Sequence, residues 1–291
     1  MQVPAPVEYE RATSLTEVFD LLERYGPESR VIAGGHSLLP MMKIRLARPE
    51  VLIDINDLTE LDYIRIDGGE LRIGAMVRHA TLMSSPLAGE YYPIFAEAEA
   101  VIADPIVRNR GTVGGSLCQA DPAEDLSAVF AALKATVVIT GKSGSRTVPI
   151  SEFHTGPYTT VVGPEEILTE VRVPLRANVG SAYEKVERRL GDWAIAAVGA
   201  MVRIEGGLIV EAGIGLAAVR AEHYSAPEAE QVLVGSAPSD ELVERAASLA
   251  GEHCNPSADQ RGPVDYKRHL VKELTTRALK RSISRALPEG A

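Results

Sequence analysis

Two short segments of this 291-residue chain contain adjacent glycines, and the first of them lies between a predicted strand and a predicted helix. The first is residues 33–38, Ala-Gly-Gly-His-Ser-Leu, and the second is residues 111–116, Gly-Thr-Val-Gly-Gly-Ser. Adjacent glycines let backbone N–H groups converge on an anion without a Cβ in the way, and a following helix adds its positive dipole end. Each segment therefore predicts a cradle for phosphate, and the pair fits two contacts on one diphosphate.

The glycine pairs also have an ordinary explanation. The first segment has neither the Gly-Lys-Ser/Thr of a Walker loop nor the G-x-G-x-x-G spacing of a Rossmann turn. A double-glycine turn between a strand and the next element often only lets the chain change direction and binds no ligand. The residues of each turn alone leave both interpretations open.

An acidic segment follows the second glycine turn and predicts the start of a helix. Asp121 is the expected N-cap, Pro122 takes the first helical position, and the Glu124 carboxylate reaches back to the cap. Asp125 has no part in this capping. Beside a phosphate cradle its carboxylate can accept hydrogen bonds from ribose or ribityl hydroxyls, although a solvated helix residue is an equally good explanation.

The composition limits the classes of function. With 45% hydrophobic and 24% charged residues, the chain can bury a large core. Its net charge of -10 argues against a nucleic-acid surface, which needs clustered Lys and Arg, so we expect no nucleic-acid partner. Cys118 and Cys254 are too few for an iron–sulfur cluster, and the histidines show no metal-ligand spacing, so no metal site is predicted. We interpret Cys118 as a small buried hydrophobic residue.

Export and membrane insertion are not indicated. The N-terminal residues contain no basic region followed by an apolar one, and no apolar run reaches the ~18 residues that a membrane-spanning helix needs. We expect a cytoplasmic protein.

The elements around the glycine turns predict an α+β fold with α/β character. A capping box at Ser14 begins a helix that leads into a strand at residues 31–33, directly before the first glycine turn, and a second, buried strand follows at residues 51–55. Two strands joined by so short a connection predict a small parallel α/β unit over residues 1–55. Period-two alternation with glycine turns predicts an antiparallel sheet over residues 56–176. Residues 177–291 predict a second domain, a small antiparallel sheet covered by helices.

Further short segments recur in a fixed order over essentially the whole chain. Besides the glycine turns and Asp121 to Leu126, they are Glu166-Ile167-Leu168, Tyr183-Glu184-Lys185 and Gly191-Asp192-Trp193-Ala194. Together they resemble the FAD-binding medium subunits of the molybdenum hydroxylase (xanthine oxidase) family, above all those of the aerobic carbon monoxide dehydrogenase type. The resemblance implies a two-subdomain FAD-binding domain of the PCMH or vanillyl-alcohol-oxidase type over residues 1–176. It also implies a carbon monoxide dehydrogenase flavoprotein-type C-terminal domain, with FAD bound between the domains.

The resemblance also implies which residues hold FAD, and none of them is expected to be catalytic. Asp125 would bind sugar-side hydroxyls, Leu168 would pack on the flavin, and Lys185 would lie near the polar edge of the ring, where a cation stabilises the reduced anion. Trp193 would lie near the isoalloxazine. The ordinary alternatives are a strand-face lysine for Lys185 and core or interface packing for Trp193. The diphosphate would contact main-chain groups of Ala33, Gly34, Gly35, His36, Ser37 and Leu38, and of Thr112, Val113, Gly114, Gly115 and Ser116.

By the same resemblance the chain is the electron-transfer subunit of an oxidoreductase. A molybdopterin-containing large subunit would act on the substrate, and a small subunit would pass electrons through two [2Fe–2S] clusters to FAD in this chain. A quinone, NAD or oxygen would then accept them. The complex would be a dimer of heterotrimers, with any association with the inner face of the membrane made through the partners.

Several alternatives remain open. Carbon monoxide is the favoured substrate, but medium subunits of enzymes for an aldehyde, a purine or an N-heterocycle share the same features. A stand-alone flavin reductase or oxidase of the same superfamily is a second class. A non-enzymatic nucleotide-binding or scaffold protein is a third.

Overall fold

The first sheet of the computed structural model, which describes residues 3–220 and 224–287, is three-stranded and parallel. Its strands lie in the order β1-β3-β2, so the first glycine turn directly follows an edge strand, β2. This confirms the predicted small parallel α/β unit. The elements are β1 (Glu8–Arg11), α1 (Leu15–Tyr25), a 3₁₀ turn (Gly26–Glu28), β2 (Ser29–Ile32), α2 (Leu38–Lys43) and β3 (Val51–Asp54).

The second sheet is five-stranded and antiparallel, as predicted. Its strand order is β4-β5-β10-β6-β7, and a separate two-stranded ribbon, β8 and β9, lies beside it. The strands are β4 (Ile64–Asp67), β5 (Glu70–Gly74), β6 (Thr136–Gly141), β7 (Gly144–Pro149), β8 (His154–Gly156), β9 (Thr159–Thr160) and β10 (Glu166–Pro174).

Short helices fill the chain between β5 and β6 and cover this sheet. They bring the second glycine turn, which runs into α7, next to the first. The helices between β5 and β6 are α3 (His79–Met83), α4 (Pro86–Tyr91), α5 (Ile94–Ala100), α6 (Pro105–Arg108), α7 (Val113–Gln119) and α8 (Asp125–Ala132). A 3₁₀ turn (Thr59–Leu61) precedes β4, and one further helix, α9 (Ile150–Phe153), follows β7.

The third sheet is three-stranded and antiparallel, and helices pack on one face of it, which confirms the expected C-terminal architecture. It begins five residues after the second sheet ends, so the predicted boundary between residues 176 and 177 falls between two sheets; the exact division stays a prediction. The elements are β11 (Val179–Val186), β12 (Ala196–Glu205), β13 (Leu208–Ala217), α10 (Pro227–Leu233), α11 (Asp240–His253) and α12 (Val264–Ala286). Among the helices so described, none is long and apolar enough to cross a membrane.

Helix α8 lies between the second and third sheets, and all eight of its residues are buried. It approaches β13 at van der Waals distance because two glycines face it: a Cβ on Gly213 or Gly215 would lie within 1.9 Å of the carbonyl oxygen of Ala132 or Ala128. This close packing carries the first residue of α8, Asp125, into the interior of the molecule.

The predicted cap of α8 is wrong. The Glu124 carboxylate caps the helix by accepting from the backbone N–H groups of Leu126 at 2.8 Å and Ser127 at 2.7 Å. Asp121 instead accepts from the N–H of Ala123 at 2.9 Å and forms a separate turn. The short aspartate reaches the N–H two residues on, whereas the longer glutamate reaches two donors in the first turn of the helix.

This buried cap predicts a pH dependence of stability. Burial raises the pKa of Glu124 from 4.5 to about 7, against the hydrogen bonds from Ser127. Because the folded-state pKa lies above the ordinary value, the stabilisation is complete below about pH 4.5 and is lost as the pH rises through 7. We therefore expect the wild type to lose stability relative to Glu124→Gln over that interval. Urea unfolding at a series of pH values measures this, and a difference constant with pH would contradict it.

Candidate functional site

The two glycine turns, residues 33–38 and 111–116, touch through their backbones. A Cβ on Gly34 would lie 2.2 Å from the carbonyl oxygen of Arg110 and 2.7 Å from Gly111 Cα. Glycine is required at position 34 because any side chain would push the turns apart. The structure therefore brings the two predicted cradles into one site.

Arg78 and Asn56 hold the two turns together. The Arg78 guanidinium donates to the carbonyl oxygen of Arg110 and, at 2.7 Å, to Asn56 Oδ1. Asn56 Nδ2 in turn donates to the carbonyl oxygen of Ala33 at 2.8 Å. Sequence analysis missed both residues, since neither lies in a recognisable motif, and only the fold shows that they bridge segments far apart in the chain.

The first turn offers free backbone donors. Within residues 3–220 and 224–287, no protein group accepts a hydrogen bond from the backbone N–H groups of residues 34–38. Gly35 has φ +76, and its Cβ would lie 3.0 Å from a methyl carbon of Leu39, so a bare backbone is also needed here. An anion with several acceptor oxygens suits this turn, because unpaired N–H groups are costly unless something accepts from them.

The second turn differs, because four of its backbone N–H groups already donate within the protein. The acceptors are the carbonyl oxygens of Val77 and Ala75 and, for the last two donors, the side chain and carbonyl of Thr112. The donors are those of Val113, Gly114, Gly115 and Ser116, at 2.9 to 3.0 Å. Among the described residues, the donors of this turn that remain available for a diphosphate are the Thr112 N–H and the Ser116 hydroxyl.

Asp125 and Lys185 form a buried ion pair. Lys185 Nζ lies 3.0 Å from Asp125 Oδ2, and their side chains are 3% and 5% exposed. The Tyr183 hydroxyl donates to Asp125 Oδ1 at 2.6 Å. Burial raises the pKa of Asp125, against the opposing effect of the Lys185 ammonium. The alternative of a solvated helix residue for Asp125 is therefore wrong.

The ammonium of Lys185 has two hydrogen-bond acceptors and a second carboxylate nearby. Besides Asp125, it lies 3.0 Å from the carbonyl oxygen of Val101 and 3.4 Å from Glu187 Oε2. An ammonium has three hydrogens to donate. Lys185 therefore acts on its surroundings through its charge, and the alternative of a lysine on an exposed strand face is wrong.

The other predicted flavin contacts divide between buried and exposed positions. Leu168 is buried in the core beside a bulge in β10, whereas Trp193 is 45% exposed and thus not a core residue.

Cys118 is exposed beside the backbone of Leu168, so its interpretation as a buried residue is wrong. Its side chain points outward from α7, two residues after Ser116. His36 is half-buried, with Nδ1 3.0 Å from the carbonyl oxygen of Gly34 in the same turn.

Comparison with known proteins agrees with this geometry. Residues 5–176 match the FAD binding domain in molybdopterin dehydrogenase, and residues 181–282 match the CO dehydrogenase flavoprotein C-terminal domain. The chain belongs to the family of FAD-binding subunits of molybdopterin dehydrogenases. This confirms the resemblance seen in the sequence and makes the chain a subunit of an oxidoreductase.

Individual relatives match along nearly their whole length. The chain is 41% identical to the carbon monoxide dehydrogenase medium chain of Hydrogenophaga pseudoflava over 95% of this chain and 97% of that one. It is 37% identical to the glyceraldehyde dehydrogenase medium chain of Sulfolobus acidocaldarius over 95% and 98%. A solved carbon monoxide dehydrogenase of H. pseudoflava, lacking the Mo-pyranopterin moiety of its cofactor, matches with a TM-score of 0.94, 42% identity and coverage of 97% and 99%.

The buried pair makes a prediction about stability. We expect Lys185→Met to lower the free energy of unfolding by about 3–5 kcal/mol, because it leaves the Asp125 carboxylate buried without its cation. Adding Asp125→Asn should recover part of the loss. Lys142→Met is the matched control, since Lys142 pairs with Asp20 and Glu23 on the surface and should change stability little. Urea unfolding compares the variants, and equal effects at both lysines would contradict the prediction.

Proposed function

We propose that this chain is the FAD-holding medium subunit of a three-subunit molybdenum hydroxylase. It takes electrons from the [2Fe–2S] clusters of a partner subunit and passes them to an external acceptor. The observation that carries the proposal is the contact between the two glycine turns, with free N–H groups on the first and the Ser116 hydroxyl on the second. Such a paired set of donors suits the two phosphates of one dinucleotide.

The residues present fit FAD. The backbone of residues 34–38 and the Ser116 hydroxyl would hold the diphosphate, and the Asp125–Lys185 pair would lie on the sugar and ring side with Leu168 and Trp193. FAD supplies a redox centre that exchanges electrons singly with iron–sulfur clusters and in pairs with other acceptors. The protein would bind and orient it, with Lys185 on the ring side already paired with the Asp125 carboxylate. No residue of this chain is assigned a catalytic role.

The proposed partners follow from the relatives. Medium chains of carbon monoxide and glyceraldehyde dehydrogenases are named as parts of larger enzymes, and the solved H. pseudoflava relative is an enzyme whose molybdenum cofactor lacks its Mo-pyranopterin moiety. We assign the molybdopterin site to a large subunit and the two [2Fe–2S] clusters to a small one, in a dimer of heterotrimers. The acceptor is a quinone, NAD or oxygen. A cytoplasmic location, with contact to the inner membrane face only through partners, belongs to the same proposal.

Carbon monoxide is the proposed substrate, with an aldehyde or an N-heterocycle as the alternative. Identities of 41% and 37% to medium chains of two different enzymes discriminate weakly, because a medium subunit does not touch the substrate. The test is anaerobic reduction of an acceptor dye by the purified three-subunit complex. We expect reduction with carbon monoxide; reduction only with glyceraldehyde or an N-heterocycle would establish the alternative, and no reduction with any of them would contradict the proposed role.

Substitution at the contact between the turns tests the binding site. We expect Gly34→Ala to weaken FAD binding by about tenfold or more, equivalent to ~1.4 kcal/mol, because the new Cβ would meet the Arg110 carbonyl oxygen at 2.2 Å. Gly89→Ala is the matched control, since its Cβ would have no neighbour within 4 Å. Titration of the apo chain with FAD measures both, and unchanged affinity in Gly34→Ala would contradict the assignment.

The exposed thiol of Cys118 offers a second test of where FAD binds. The surroundings of Cys118 raise the pKa of its thiol to about 12 by desolvation, so the labelling is done at alkaline pH. Because Cys118 lies beside Leu168 and close in sequence to Ser116, bound FAD should slow its alkylation. Cys254 is buried and serves as the internal control. Mass spectrometry after N-ethylmaleimide treatment, with and without FAD, gives the rates. Equal labelling of Cys118 in both states would place FAD elsewhere.

A further inference from the structure

Ser116, His79 and Glu99 form a hydrogen-bonded chain that runs from the second glycine turn into the core. Ser116 Oγ lies 3.1 Å from His79 Nε2, and His79 Nδ1 lies 2.9 Å from Glu99 Oε2. His79 is 3% exposed and Glu99 is fully buried, whereas Ser116 is only half-buried. A buried imidazole–carboxylate pair therefore stands directly behind the one side-chain hydroxyl that this turn can offer to an anion.

Packing fixes the imidazole in this position. The backbone N–H of His79 donates to the carbonyl oxygen of Gly111 at 3.2 Å, and a Cβ on Gly111 would lie 2.7 Å from His79 Cδ2. The ring therefore lies against the backbone of the second turn. Any rotation of the ring would break its bonds to both Ser116 and Glu99.

The number of protons on the pair decides what Ser116 presents outward. The pair can hold one proton more than neutral imidazole and ionised Glu99 together. If that proton is on the ring, both ring nitrogens carry hydrogens; if it is on the carboxyl group, Nδ1 accepts from Glu99 and the ring hydrogen is on Nε2. In both cases His79 Nε2 carries a hydrogen. Nε2–H then donates to Ser116 Oγ, and the hydroxyl hydrogen is free to donate outward. Without that proton, Nδ1–H donates to Glu99, Nε2 accepts the Ser116 hydrogen, and only lone pairs face the site.

We propose that the His79–Glu99 pair is a proton-dependent switch that makes Ser116 a donor to the FAD diphosphate when the pair is protonated and withdraws that donor when it is not. The inference rests on the proposed function, because FAD supplies the anion. His79 and Glu99 are positioning residues, since they act on the cofactor through Ser116.

The charged groups around the pair favour its protonated form. Burial lowers the pKa of His79, but the Glu99 carboxylate on α5, with Glu124 and Asp125 at the start of α8, outweighs burial and raises it overall. Burial raises the pKa of Glu99, while His79 and, less strongly, Arg108 on α6 oppose the effect. The carboxylates of Glu124 and Asp125 at the start of α8 thus extend the donor state of Ser116 towards higher pH, whereas the Arg108 guanidinium on α6 opposes them.

The test is the affinity of the full-length apo chain for FAD, measured by quenching of flavin fluorescence between pH 6 and 8.5. We expect wild-type affinity to fall about tenfold or more across this range, the size of effect expected for a hydrogen bond to a charged group. Ser116→Ala should bind weakly throughout and lose the pH dependence, and Ser116→Thr, which keeps the hydroxyl, should retain it. Ser84→Ala, an exposed serine near His79 in sequence, should behave as the wild type.

A second readout reports on the imidazole itself. In ¹⁵N NMR spectra of the chain, His79 should carry a proton on Nε2 at low pH and on Nδ1 alone at high pH, and added FAD should shift this transition upward. Parallel pH profiles for the wild type and Ser116→Ala would overturn the switch while leaving FAD binding intact. A wild-type chain that binds no FAD, alone or with its partners, would overturn the proposed function as well.

Discussion

The close contact between two backbone turns is the constraint on which the rest of the site depends. Gly34 lies against Arg110 and Gly111, at a separation that no other residue type allows. This contact joins a parallel α/β unit to an antiparallel one. Arg78 and Asn56 fix the separation with side-chain hydrogen bonds to both turns, so the geometry of the cradle does not rely on glycine backbones alone.

The two turns contribute differently to this cradle. The first turn leaves its backbone N–H groups free, while four N–H groups of the second turn donate to the segment just after β5 and to the cap residue Thr112. The backbone of the second turn is therefore held in place by hydrogen bonds within the protein, and the turn contributes mainly the Ser116 side chain. Because most backbone N–H groups of the second turn are already used, its contact with an anion depends on the Ser116 hydroxyl and on the His79 imidazole bonded to it.

Buried acidic side chains surround the site, and each has a hydrogen-bonding or charged partner of its own. Glu99 is paired with His79, Glu124 accepts from backbone donors of α8, and Asp125 is paired with Lys185. Three carboxylates this deeply buried are costly unless each has its own partner. The packing of α8 against Gly213 and Gly215 brings two of them into the interior, so the geometry of the third sheet determines the electrostatics beside the cradle.

Much of this arrangement could be predicted from the sequence, and the exceptions have physical causes. The glycine turns, the parallel unit and the antiparallel sheets carry local signatures of periodicity and turn residues, which do not depend on distant contacts. The cap of α8 does depend on side-chain reach, so Asp121 was the wrong choice and Glu124 the right one. Cys118 was expected to be buried, but its exposure depends on which face of α7 meets the core.

Pairs formed across long stretches of chain could not be predicted. The resemblance assigned Asp125 and Lys185 separate roles, and only the fold shows that they neutralise each other. Arg78, Asn56, His79 and Glu99 lie in no motif at all. Their partners are 20 or more residues away, and such pairings follow from tertiary packing.

The central claim is that the two turns together hold one FAD. The most direct measurement is the visible absorption spectrum of the purified full-length chain, alone and co-expressed with the molybdopterin and iron–sulfur subunits, with mass spectrometry of the released ligand. The account predicts a flavin spectrum and about one FAD per chain. A colourless chain that takes up no FAD in either state would contradict it and leave the glycine turns as structural features only.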